Sequence, residues 1–143
     1  MPATAQFTRK FLEEVLQGTH DVLNNSITVC LMNTTFAFDP DTMETYAAAV
    51  DSDEIATGYG YTKNTMVLST PALDSSVSGT VTLTGGILTW TATGGDLPAV
   101  GAACLIINGT LMLCIDFGTD YTTTSGKLFK LNFTGGACSV AVV

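Results

Sequence analysis

Apolar positions repeat at helical spacing in one stretch of this chain and alternate at strand spacing through most of the rest. Phe7, Phe11 and Val15 recur at i, i+4 and i+8, and Leu12 and Leu16 widen the same stripe. That periodicity predicts one amphipathic helix over 5–17, with Thr4 as N-cap and Gly18 as the stop. Basic residues, not acids, fill its early turns, against the helix dipole. Ile27, Val29 and Leu31 then alternate with Thr28 and Cys30, which predicts a first strand. Residues 33–53 are acidic and irregular and read as a long loop, with only a short helical turn available at 42–49. Stretches 54–57 and 61–68 read as strands flanking Gly58-Tyr59-Gly60.

The second half is punctuated by Gly and Asn between β-favouring runs. Stretch 77–83 places Val77, Val81 and Leu83 on one face, and 87–93 does the same for Leu88, Trp90 and Ala92. Gly85-Gly86 predicts a hairpin between them. Asn108-Gly109 is a stronger hairpin signal, joining 103–107 to 110–116. A two-residue turn there sets Cys104 opposite Leu113, a register that disfavours a Cys104–Cys114 disulfide; a three-residue loop closed by Thr110 brings the two cysteines face to face. Phe129, Leu131 and Phe133 alternate with polar neighbours, and 139–142 supplies a last short strand. The expected fold is mainly β: a single domain over 1–143, an antiparallel β-sandwich or barrel of jelly-roll type with one N-terminal helix.

Composition supports a buried core, with 46% hydrophobic residues in 143. Charged residues make up only 13%, against about 25% in an average soluble domain. A surface so poor in charge suits a protein covered by neighbours, hence an oligomer or assembly. The net charge of −8 sets 13 acids against Arg9, Lys10, Lys63, Lys127 and Lys130. No basic stripe exists for phosphate backbones, and anionic lipid would repel the chain, so neither nucleic acid nor membrane is an expected partner. No window approaches the apolar length of a membrane span, and the first residues lack the charged-then-apolar plan of a secretion signal. Synthesis in a reducing cytoplasm is expected, with Cys30, Cys104, Cys114 and Cys138 as buried free thiols; their wide spacing does not suit zinc.

Candidate chemistry is thin. His20, the only histidine, is followed by Asp21 in a turn, but no nucleophile elbow accompanies it. Asp39, Asp41, Glu44, Asp51, Asp53 and Glu54 offer hard oxygens for calcium without the spacing of an EF-hand loop. Gly58-Tyr59-Gly60-Tyr61 has no following helix to make a phosphate cradle, and period two would point both tyrosines to one face. Trp90 alternates with core positions, so packing is favoured over a sugar platform made with Tyr59, Tyr61 and Tyr121. No catalytic, cofactor-binding or metal-binding residue is nominated, no cofactor is expected, and the chain does not read as an enzyme.

The order of the pieces resembles a family of small tailed-bacteriophage virion proteins. The matching runs are LQGTHDVLNNSITVCLM, EIATGYGYTKNTMVL, ILTWTATG, AACLII, LMLCIDFGTDYTTTSG and KLFKLNFTGG, covering most of the chain from Phe7 to about residue 136. Relatives often carry Gly-Gly after the Tyr-Thr, where this chain has Lys63-Asn64, and residues 84–98 are more compact than usual. The resemblance implies a structural protein of the outer capsid surface, made in the bacterial host cytoplasm. It would decorate and cement the head by binding the major capsid protein, as a homo-oligomer, dimer or trimer. The N-terminal helix and the 33–53 loop are the expected contact segments. A tail, baseplate or fibre-attachment role is the alternative within the virion, and a glycan-binding module the alternative outside it; exposed Trp90 and Tyr59 would favour the latter.

Overall fold

The computed structural model describes residues 4–79, 81–135 and 139–143. Ten strands and two helices follow in the order β1 (Thr4–Phe7), α1 (Arg9–Leu16), β2 (Ile27–Met32), α2 (Tyr46–Ala49), β3 (Met66–Val67), β4 (Ala72–Asp74), β5 (Thr82–Thr84), β6 (Ile87–Thr91), β7 (Leu97–Ile107), β8 (Thr110–Thr123), β9 (Leu128–Asn132) and β10 (Ser139–Val142). A five-stranded sheet ordered β1-β8-β7-β2-β3 faces a three-stranded sheet ordered β10-β9-β6, and β4 and β5 form a separate two-stranded arm. All the pairings are antiparallel. The fold is the expected antiparallel β-sandwich.

The main core lies between the two sheets. Leu88, Trp90, Phe129 and Leu131 from the small sheet meet Val29, Leu31, Leu105, Leu113, Ile115 and Phe117 from the large one. On β6 the alternation works as read, with Leu88 and Trp90 buried and Ile87, Thr89 and Thr91 outward. On β2, over 102–107 of β7 and over 110–115 of β8 it gives way to nearly unbroken burial, because the large sheet is covered on its second face too. There Cys30, Met32, Ala102, Cys104, Ile106, Leu111 and Cys114 form a second cluster, roofed by Phe36, Phe38, Met43, Tyr46 and Val50 of the 33–53 segment. A strand covered on both sides needs apolar residues at every position.

The N-terminus departs from expectation. Residues 4–7 form β1, paired with β8 from Thr4↔Asp116 to Phe7↔Leu113, and the helix begins only at Arg9. Thr8, not Thr4, is the N-cap: its backbone is extended and its hydroxyl accepts the Phe11 N–H at 3.1 Å. The Thr8 hydroxyl also donates to the Leu111 carbonyl, tying the cap to the sheet. Ladder hydrogen bonds to β8 thus outweigh the helical stripe over these residues. Arg9 at the unfavourable helix start is offset by Glu13, Asp41 and Glu44, each within 4.0 Å. Gly18, at φ 73, closes the helix in a Schellman turn, its N–H bonding the Val15 carbonyl and that of Thr19 the Glu14 carbonyl.

Other corrections concern the middle of the chain. Stretches 54–57 and 61–68 contribute isolated bridges and the two-residue β3 rather than full strands. Gly85-Gly86 does not close a hairpin, because β5 pairs with β4 and β6 with β9. Val77 and Val81 are exposed, and of the anticipated inward face of 77–83 Leu83 alone packs against the core.

The Asn108-Gly109 hairpin is present as a two-residue turn, with both residues at positive φ and Ile107 opposite Thr110. Between Leu105 and Ile106 the register shifts by one, since Ile106 faces Leu111 while Leu105 faces Leu113. Met112 is the extra residue of a β-bulge. The shift sets Cys104 opposite Cys114, and the two form a disulfide. A bulge achieves the pairing expected only from a longer loop, and the expectation of free thiols fails for these two. Cys30 is free and buried, while Cys138 lies outside the described residues.

Candidate functional site

The sequence-nominated residues fall into separate places. His20 folds back after the Schellman turn, stacks on Phe11 at 5.9 Å between ring centroids, and meets Glu14 Oε2 through Nε2 at 2.6 Å. Glu14 also accepts the Thr110 hydroxyl at 2.9 Å and pairs with Lys10 at 3.4 Å. The carboxylate is the hub, with imidazole and hydroxyl as separate spokes. A hydroxyl–imidazole–carboxylate relay requires the imidazole in the middle, so this is not a nucleophile-activating triad. Partial burial pushes the Glu14 carboxyl up, but the hydrogen bonds from His20, Thr110 and Lys10 outweigh it and hold it below the usual range. Asp21 caps its own turn, accepting the Leu23 and Asn24 N–H groups.

The six acids considered for calcium do not converge. Asp39 accepts from Thr42 and from the Asp41 N–H, Asp53 from Asn33 at 3.3 Å, and Asp51 pairs with Lys63 at 3.3 Å. Among the described residues no group of three or more potential ligands is close enough to hold a metal ion.

Glu54 is a different case. It is buried, and accepts the Tyr46 and Tyr61 hydroxyls and the Asn64 N–H, the last at 2.8 Å. Tyr61 in turn accepts the Leu31 N–H at 2.9 Å. Burial, then the adjoining Glu54 carboxylate, raises both tyrosines well above their usual range. Cys30 lies against the same carboxylate, and burial followed by that charge pushes its thiol up as well. Three saturating donors make Glu54 a structural tie between the roof segment, the Gly-Tyr turn and β2. Sequence reading placed it only among solvated acids; the absence of any spacing signal hid its role.

The Gly-Tyr run is a tight turn. Gly58 and Tyr61 exchange backbone hydrogen bonds of 2.9 Å, and Tyr59 and Gly60 between them take φ 52 and 92. The left-handed backbone breaks period two, so Tyr61 is buried against Trp90 while Tyr59 is exposed, contrary to the single face expected. A Cβ at Gly60 would fall 2.0 Å from the Thr91 carbonyl oxygen. Asn64 sits at φ 50, a backbone that Asn tolerates and Gly favours. Trp90 is buried and unavailable as a sugar platform.

A groove of about 580 Å³ crosses the second face of the large sheet. Thr4, Gln6, Cys114 and Asp116 contribute to its floor, and Phe36 and Phe38 of the roof segment to one wall. Asp116 and Asp120 are the charged residues lining it. Larger apolar exposures lie elsewhere. Leu12, Val15 and Leu16 of α1 and the nearby Leu23 are 48%, 38%, 89% and 48% exposed. Leu73, Val77 and Val81 on the β4–β5 arm are 49%, 66% and 68% exposed.

No family model, curated protein or solved structure matches this chain.

Proposed function

We propose that this protein is a structural virion component that decorates and cements a phage capsid by binding the major capsid protein. The observation carrying the reading is where its uncovered apolar side chains sit. Among the described residues, seven of the twelve exposed large apolar side chains lie on α1, at nearby Leu23 and on the β4–β5 arm, outside the two sheets of the sandwich, while Phe7, Val67 and Ile87 are scattered singly on its strands. Exposed apolar groups on a charge-poor surface mark adhesive sites, and two such elements suit a protein that bridges neighbouring subunits. The 33–53 segment, nominated from sequence as a contact element, roofs the second core; the β4–β5 arm takes its place in the proposal. The motif order that resembles the virion family supports the same reading.

The test is recruitment of purified protein to expanded capsids that lack it, followed by thermal challenge of the particles. The expected result is saturable binding in many copies and a higher disruption temperature. Leu16→Asp and Val81→Asp should each weaken binding while leaving the isolated domain folded, since exposed substitutions usually change stability by within about 0.5 kcal/mol. Capsids that neither recruit the protein nor gain heat resistance would remove the cement role.

A further inference from the structure

Cys30, Cys104 and Cys114 stand in one row across three adjacent strands: Cys30 is directly opposite Cys104, and Cys104 directly opposite Cys114. All three share the second cluster on the same face of the sheet. Antiparallel partners alternate between close pairs and wider, hydrogen-bonded ones. The Cα atoms of Cys104 and Cys114 are 4.2 Å apart, the close kind. Cys104 therefore directs its backbone groups toward β2, and its pair with Cys30 is the wide kind, at about 5.5 Å between Cα atoms. That lies inside the span a disulfide bridges, about 4.4–6.8 Å. The middle cysteine can bond to either neighbour.

We propose that this row exchanges its disulfide, passing the bond from Cys104–Cys114 to Cys30–Cys104 and delivering a free thiol to the groove at Cys114, where it is a modification site for a small cationic disulfide. The inference is independent of the virion reading. Thiol–disulfide exchange needs the attacking sulfur in line with the bond it breaks, and a row perpendicular to the strands supplies that line. Cys30 Sγ now points to Asn64 Oδ1 at 3.7 Å; rotation about χ1 turns it toward Cys104. At mildly alkaline pH the thiol gives up its proton to solvent hydroxide, and the thiolate attacks Cys104 Sγ. The Cys104–Cys114 bond breaks, and Cys114 leaves as thiolate. One disulfide and one thiol remain, so no outside oxidant is consumed. The raised proton affinity of Cys30 keeps the exchange slow at neutral pH.

Cys114 forms part of the groove floor. Its thiolate there attacks one sulfur of an incoming disulfide, forming a mixed disulfide and releasing the other half as thiolate. Asp116 and Asp120 line the groove, and among the described residues no Lys or Arg does, so a cationic reagent is favoured over an anionic one.

The test uses the full chain carrying Cys138→Ser, incubated natively at mildly alkaline pH with cystamine or with the anionic 3,3′-dithiodipropionate. Acid quenching, blocking of free thiols and non-reducing trypsin digestion precede mass spectrometry. Cleavage after Lys10, Lys63 and Lys127 places Cys30 in fragment 11–63 and both Cys104 and Cys114 in 64–127. The expected product is 11–63 disulfide-linked to 64–127, with one cysteamine on Cys114, formed several-fold faster from cystamine than from the anion. Cys30→Ala should abolish both the label and the link. Fragments that remain unlinked, with cysteamine absent from Cys114, would overturn the proposal. Labelling of Cys114 that survives Cys30→Ala would overturn it equally, and so would equal rates with the two reagents for the charge preference.

Discussion

At the scale of single residues, carboxylates with opposite surroundings shape this protein. Glu54 is sealed among donors, whereas Glu14 is partly open and held by His20, Thr110 and Lys10. The lowered proton affinity of Glu14 makes its contribution to stability pH-dependent with a definite sign. As pH falls, the unfolded chain takes up this proton first, near the ordinary value of about 4.3. The stabilisation is therefore complete above that value and is lost as pH drops through the lower folded value. Urea unfolding from about pH 6 to about pH 3 should show an acid-side decline that flattens in Glu14→Gln. An unchanged slope would mean that Glu14 titrates alike in both states. Sequence placed His20 in a turn, but its partner was not legible, because the path that brings it back to Glu14 depends on Gly18 and the residues after it.

At the scale of elements, legibility followed the length and regularity of the signal. Asn108-Gly109 dictated its turn, because few other pairs accept positive φ twice. The alternation of 87–91 announced a strand with one buried face. The roof over the second face left only short traces: Phe36 and Phe38 are two residues apart and Met43, Tyr46 and Val50 follow i, i+3 and i+7, runs too brief to show which face they cover. The Met112 bulge changes register without changing composition, so the cysteine row could not be read before the pairing was known. The helix start was misplaced because Thr4 and Thr8 both suit a cap, and only the β1–β8 ladder distinguishes them. That difference is measurable. Thr8→Ala removes the cap to Phe11 and strands the buried Leu111 carbonyl, which should destabilise the protein by about 1–3 kcal/mol. Thr4→Ala, at an exposed strand position, should stay within about 0.5 kcal/mol. Equal losses from the two in chemical denaturation would restore Thr4 as the cap.

For the molecule as a whole, the governing feature is one sheet carrying a core on each face. The sandwich core is closed by a second sheet with its own hydrogen-bond ladder. The other core is closed by a segment with one helical turn, four residues long, and otherwise irregular structure. Such a roof has less intrinsic order, so the sheet beneath it must be held in register by other means. The Cys104–Cys114 bond joins β7 to β8 at the centre of that face. It closes a loop with a sequence separation of 10, and loop-closure arguments give a contribution of about 2–3 kcal/mol. In a chain of this size that corresponds to roughly 10 °C in Tm. Thermal unfolding with and without reductant should show a loss of that order. The double variant Cys104→Ala, Cys114→Ala should begin at the lower Tm and ignore reductant. A wild-type Tm indifferent to reductant would show that the bulged register is held by packing of the two cores alone, with the disulfide following the fold rather than securing it.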